Sequence, residues 1–164
     1  MKKNKVLFFL FSILSIYSIS VEAQNLQTKY KVSNKKAIKA EVMDCTVGND
    51  GACYVDMLIE NIGKWGDIEL VIPNPDSDPN KAIDNTGRYY SGVKYAIGDM
   101  SKYLIYYTTD IILPEGVPLK CRVKIDDISP DAIYIKELSL NIYNKLDYQY
   151  RYRMLKIMNI PISR

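Results

Sequence analysis

Histidine is missing from all 164 residues. Its absence removes the commonest general base, the Ser–His and Cys–His nucleophile pairs, and the commonest zinc ligand. Cysteine is scarce and odd in number: Cys45, Cys53 and Cys121. An odd count leaves at least one thiol free or paired with another molecule. Past the first 23 residues there is no apolar run able to cross a bilayer and no stretch with a convincing 3.6-residue period and caps. Net charge is small as well. The formal +3 owes most of its excess to the N-terminus; from Gln24 onward 19 basic and 18 acidic side chains leave +1. Nothing global therefore argues for nucleic acid or an anionic membrane as a partner.

The N-terminus reads as an export signal. Lys2, Lys3 and Lys5 precede an almost wholly apolar run from Val6 to Ile19, and Val21-Glu22-Ala23 places small residues at a cleavage site. The run is short against the roughly 20 residues of a spanning helix. No Cys follows it, which argues against a lipid-anchored lipoprotein. Residues 1–23 are expected to be a signal peptide cleaved before Gln24. The product would be periplasmic, cell-surface or extracellular. Residues 24–36, polar and Lys-rich, read as a lead-in arm, and 37–164 as one domain. A domain of this size buries about two-thirds of its unfolded surface and needs no metal or dense disulfide framework. In an exported, oxidising setting Cys45 and Cys53 flank a hairpin turn, Gly48-Asn49-Asp50-Gly51, and are the candidate disulfide. The alternative is three buried reduced thiols.

The clearest strand is Leu119–Ile125. Leu119, Cys121, Val123 and Ile125 point one way and Lys120, Arg122 and Lys124 the other, after a turn at Leu113-Pro114-Glu115-Gly116. That turn reads as type I, with Pro114 second and Gly116 fourth. Cys53 to Glu60 alternates in the same manner. Further strands are expected at Ala37–Val47, Asp67–Ile72, Arg88–Ile97, Lys102–Leu113, Ile133–Ile142 and Tyr148–Ile160. Pro73–Gly87 is expected to be a loop, since three Pro and three Asp break it. Ile133, Ile135, Leu138, Leu140 and Ile142 are expected core residues, with a phase change near Lys136-Glu137 read as a bulge; near Met154-Leu155 the phase changes again, by a second bulge or because both faces are covered there. Short, turn-punctuated strands predict an all-β antiparallel sandwich of about seven to nine strands, with a closed barrel as the alternative.

Two stretches carry a resemblance. Ser129 to Tyr134, SPDAIY, resembles the turn before strand F of immunoglobulin domains, which implies a tyrosine corner at Tyr134. That family has a Cys two residues further on; here the position is Lys136, so its inter-sheet disulfide is not carried over. Trp65 lies slightly before the place of that family's core Trp. Asp84 to Tyr89, the LPEGVP turn and Asn159–Ile162 (NIPI) together resemble small secreted bacterial immunoglobulin-like proteins of uncharacterised function, related to telokin-like domains. The resemblance implies an immunoglobulin-like fold and supplies no catalytic residue. Under it, Cys53–Glu60 and Leu119–Asp126 are strands B and E, antiparallel neighbours with Asp56 and Glu60 facing Lys120, Arg122 and Lys124.

Chemistry-bearing motifs are few. Ser33-Asn34-Lys35-Lys36 matches S-x-x-K, but in a polar arm with no KTG or SDN partner. Asp76-Ser77-Asp78-Pro79-Asn80 and Asp84 begin a calcium-loop rhythm, yet Lys81 and Gly87 stand where an EF-hand needs Gly and Glu. Asp126 and Asp127 are adjacent and diverge, unlike a glycosidase pair. No cofactor, metal or catalytic residue is expected. Tyrosine is the enriched type, 14 in all. Tyr148, Tyr150 and Tyr152 alternate with Arg151 and Arg153, and Tyr89-Tyr90 must place one ring on each face of a sheet. Together these are the candidate binding surface. The function expected is a non-enzymatic module that binds a protein of the envelope or host surface, with a glycan binder using exposed Tyr as the alternative. A hydrolase is disfavoured by the missing histidine.

Overall fold

Strand β3 (Cys53–Asn61) alternates buried and half-buried without a break, as its sequence pattern dictates. Its neighbour β9 (Leu119–Ile125) does the same, with Cys121, Val123 and Ile125 buried. The two pair antiparallel, and Asp56 stands directly opposite Arg122. The antiparallel neighbour relation expected under the resemblance is therefore present. Lys120, however, faces Leu58, because the ladder ends at Ile59–Leu119 before reaching Glu60.

The chain is seen here in a computed structural model that describes residues 27–31, 37–64, 66–71, 80–91, 93–98, 111–141, 143–144 and 154–164. The remaining strands are β1 (Gln27–Lys31), β2 (Ala37–Val47), β4 (Ile68–Val71), β5 (Lys81–Asp84), β6 (Tyr89–Ser91) and β7 (Lys94–Ile97). They continue with β8 (Ile111–Leu113), β10 (Tyr134–Asn141), β11 (Tyr143–Asn144) and β12 (Met154–Pro161). Three sheets form, ordered β1-β2-β3-β9-β7, β12-β10-β5-β6 and β11-β4-β8, and every strand pair is antiparallel. The described residues are all-β, carry no helix, and do not close into a barrel. The inward residues of the two larger sheets join one hydrophobic core, among them Val55, Ile59 and Val123 from one and Ala82, Leu138 and Ile157 from the other. Each large aliphatic side chain fully buried there stabilises the fold by about 1.5–3 kcal/mol. Buried Tyr95 on β7 ties the two sheets together, its hydroxyl donating to the Asn141 carbonyl on β10 at 2.8 Å.

Several expectations are corrected. The Leu113–Gly116 turn sits one residue later: Val117 N–H donates to the Pro114 carbonyl (3.4 Å), and Gly116 takes φ 72° at the third position. Positive φ there is the type II signature, and glycine adopts it without a Cβ clash. Lys81–Asp84 is a strand, not loop, held between β10 and β6 with Ala82 and Asp84 inward. Arg88–Ile97 is not one strand. β6 belongs to the four-stranded sheet and β7 to the five-stranded one, so the chain changes sheet between Ser91 and Lys94. Such divisions give the described chain more and shorter strands than the seven to nine expected. Ile133 is 66% exposed rather than core, because the turn from Ser129 breaks the alternation and Ala132 takes the inward place.

The bulge expected near Lys136 is present as a register shift between Ile135 and Glu137 against β5. On β12, Leu155 and Ile157 are buried, Met158 is exposed and Ile160 is buried again; the phase turns at Asn159, which takes φ 56°. The mixed periodicity of Ala37–Val47 has a similar cause, a register shift between Val42 and Asp44 that leaves Met43 outside. The signal peptide, Ser33–Lys36, Trp65, Asp76–Pro79 and most of Lys102–Leu113 lie outside the described residues.

Candidate functional site

The phase change on β10 and β12 builds a surface. After it, Glu137 and Met158 point outward as an in-register pair, Glu137 is also opposite Ile83, and Ile83 is opposite Tyr89. One row thus crosses the four-stranded sheet: Tyr89, Ile83, Glu137, Met158. A second row beside it runs Ser91, Lys81, Ser139, Lys156. Tyr89 and Met158 are 53% and 41% exposed. Between them Glu137 is held in place. Its Oε1 accepts from Ser139 Oγ at 2.7 Å and lies 3.3 Å from Lys156 Nζ and 3.8 Å from Lys81 Nζ. The Ser139 hydroxyl first, and the two ammonium groups after it, keep the Glu137 carboxyl below its ordinary pKa. The face therefore offers two exposed apolar side chains around a fixed charge cluster.

A buried carboxylate positions Tyr89. Asp84 is fully buried at the end of β5. Its Oδ1 accepts from Thr86 N–H (2.8 Å), Thr86 Oγ1 (2.6 Å) and Arg88 N–H (3.1 Å), and its Oδ2 from Tyr90 Oη (2.6 Å). Burial by itself would raise its pKa; these four donors outweigh burial and lower it. Tyr90 Oη in turn accepts Ser129 N–H at 3.0 Å, and burial together with the Asp84 charge raises the phenol's pKa. Tyr90 is thereby withdrawn from the expected binding surface. Its hydroxyl is spent on Asp84 and Ser129, with the Arg88 guanidinium 5.3 Å from its ring centroid. Alternation then sends Tyr89 out. Asp84 is likewise committed and is not a calcium ligand in waiting. The hydroxyl that reaches across to loop backbone is that of Tyr90, the role expected of Tyr134. Tyr134 is instead held by its own N–H, which donates to Asn85 Oδ1 at 3.2 Å.

The outer face of the five-stranded sheet is of another kind. Arg122 grips Asp56 through two nitrogens at 2.6 and 2.8 Å. Register puts Lys94 opposite Lys124, and Asp126 lies 3.2 Å from each, relieving the like-charge contact. Lys124 also reaches Asp50 (3.1 Å), whose carboxylate accepts Tyr54 Oη at 2.7 Å. The Tyr54 hydrogen bond, then Lys124, lower the Asp50 pKa to about 2. Asp126 is thus engaged on the sheet while Asp127 turns away at φ 52°, and the two do not converge. A depression of about 180 Å³ lies nearby, lined by Lys39, Glu41, Leu58, Glu60 and Pro118. It is smaller than the few hundred Å³ of ordinary ligand pockets.

Among the described residues no group of three or more His, Cys, Asp or Glu could hold a metal ion, and no helix is long and apolar enough to cross a membrane. Tyr148, Tyr150, Arg151, Tyr152 and Arg153 lie outside the described residues. Cys45 and Cys53 are brought together, with sulfurs 3.4 Å apart, while Cys121 is buried elsewhere on β9. Sequence reasoning reached Tyr89 but missed Met158, Glu137 and Ser139, because the two rows they belong to depend on two irregularities facing each other across strands. Comparison with protein-family models, curated proteins and solved structures finds no match.

Proposed function

We propose that the chain is an exported, non-enzymatic, immunoglobulin-like sandwich domain that binds a protein of the cell envelope or host surface through the outer face of its four-stranded sheet. Two open antiparallel sheets sharing one core support the fold reading. The observation that carries the binding reading is the in-register row of Tyr89, Ile83, Glu137 and Met158. It joins a rigid aromatic and a polarisable thioether to a preset carboxylate, a combination suited to a hot-spot centre with polar surroundings.

The test is a pull-down from envelope extract with the mature domain and with Tyr89→Ala, beside a glycan array. A protein should be captured, and Tyr89→Ala should weaken its capture about thirtyfold, the effect of losing roughly 2 kcal/mol at a hot spot. Undiminished capture by Tyr89→Ala would place the contact on another face. Array binding without protein capture would favour the glycan reading instead.

A further inference from the structure

The hairpin of β2 and β3 carries a second feature unrelated to the binding face. Cys45 and Cys53 lie on its inward side, 3% and 0% exposed, with Sγ atoms 3.4 Å apart. Register places Cys45 opposite Val55 and Cys53 opposite Val47, so the two thiols form a diagonal pair. On a flat ladder such a diagonal spans about 7–8 Å between Cα atoms, at or just past the roughly 7 Å that a disulfide bridges without backbone movement. Here the two sulfurs already lie 3.4 Å apart. Closing to a bond of about 2.05 Å draws the two strands slightly together at this point. Cys121 has no such access. It stands opposite Met57, four residues along β3 from Cys53, which is about 14 Å at 3.4 Å per residue.

We propose that Cys45 and Cys53 are an oxidation site and close to a cross-strand disulfide, leaving Cys121 as a thiol. The oxidant is a disulfide-bearing molecule, small or protein. One of the two cysteines, as its thiolate, attacks one of its sulfurs, forming a mixed disulfide and releasing the first thiolate, which takes up a proton. The other cysteine then gives up its proton and attacks the first cysteine's sulfur. The mixed bond breaks and the second thiol leaves. Two protein thiols are oxidised by two electrons, and one external disulfide is reduced to two thiols.

The surroundings distinguish the two sulfurs. The hydrogen bond shared with Cys45 lowers the Cys53 pKa, with the Arg164 guanidinium adding to it. The same contact and burial raise Cys45. That asymmetry belongs to the folded chain with its C-terminal segment docked. Residues 162–164 run alongside β2. Ser163 N–H donates to the Cys45 carbonyl at 2.8 Å, Val47 N–H donates to the Ser163 carbonyl at 3.3 Å, and Arg164 holds the Ser129 and Ala132 carbonyls at 2.8 Å. Exchange therefore belongs to the folding chain, before this segment docks.

The test is to refold the full mature chain with glutathione disulfide and glutathione, denature it, alkylate its thiols and map the peptides by mass. One alkylated residue, Cys121, and a Cys45–Cys53 cross-link are expected. Three alkylated cysteines, or any link to Cys121, would overturn the proposal. Closing so short a loop should raise Tm by about 8 °C. Reductant should therefore lower the Tm of wild type and of Cys121→Ser, and leave Cys45→Ser unmoved. An equal response in all three would also overturn it. The peptide map of the wild type decides the matter even where a variant fails to fold. None of these readouts involves a binding partner, so the outcome is independent of the proposed binding face.

Discussion

Asp56 and Asp84 are both aspartates at work in a sheet, and they are held in opposite ways. Asp56 lies on the outer face of β3 and shares its charge with Arg122 one strand away, with both side chains a third or more exposed. Asp84 lies inside, at the end of β5, with no cation among the four hydrogen bonds it accepts. The first is a surface ion pair in high dielectric, where Coulomb gain and side-chain entropy nearly cancel. The second is a charge stabilised by oriented dipoles where water is excluded, so each donor counts for more and its loss leaves a buried group unmatched. A carboxylate's importance to this fold therefore follows from its donors and burial, and not from whether a salt bridge can be drawn to it.

The largest effect should come from Asp84→Ala. It strands Tyr90 Oη and the turn donors, and urea unfolding should show a loss of about 3–4 kcal/mol; a loss below about 1 kcal/mol would erase the contrast with Asp56. Tyr90→Phe removes one donor to Asp84 and the acceptor for Ser129 N–H, and should lower stability by about 1–2 kcal/mol in the same assay. Acid provides the third measure. The folded pKa of Asp84 is depressed, so its contribution is fully present above the ordinary carboxylate pKa near 4 and is lost as pH falls through the folded value. Asp126 and Glu137 shift the same way. The urea midpoint should fall between about pH 5 and pH 3, and less steeply in Asp84→Asn. A midpoint indifferent to acid would contradict the arrangement described.

Smaller effects complete the series. A double-mutant cycle on Asp56 and Arg122 should give a coupling of about 0.5–1 kcal/mol that shrinks at high salt. A coupling of 3 kcal/mol would make the surface pair the equal of the buried group. Tyr89→Ala should change stability by about 0.5 kcal/mol or less, since its ring faces solvent, while weakening capture of a partner. That split separates the exposed member of the Tyr89-Tyr90 pair from the buried one.

Much of the five-stranded sheet was legible in advance because its information is local. β3 and β9 each run long enough for a period of two to declare which residues go inward; their pairing was expected only through the resemblance, with the complementary charges consistent with it. The four-stranded sheet was harder. β5 is four residues long and follows a Pro- and Asp-rich stretch, so it offers too few alternations to be read. β6 and β7 carry strand-forming residues, and the one local sign of a break, Ser91-Gly92, does not say that the chain changes sheet there. Ile133 had the right composition for core, but the turn before β10 gave the inward place to Ala132. The bulge at Lys136 was readable because Ile135 and Leu138 differ in parity; the turn of phase at Asn159 was not foreseen, since Ile157 and Ile160 sit beside an exposed Met158 that the pattern did not set apart.

By itself the sequence determined an all-β chain, the inward faces of β3 and β9, the proximity of Cys45 and Cys53 across a Gly-Asn-Asp-Gly turn, and the splitting of Tyr89-Tyr90 between two faces. These follow from side-chain alternation and turn chemistry, which act over a few residues. Only the tertiary structure decided which tyrosine faces out, that Asp84 is a buried hub, and that Met158 and Glu137 share a row with Tyr89. Those depend on register between strands tens of residues apart, where one bulge reverses every side chain beyond it and no local pattern records the result.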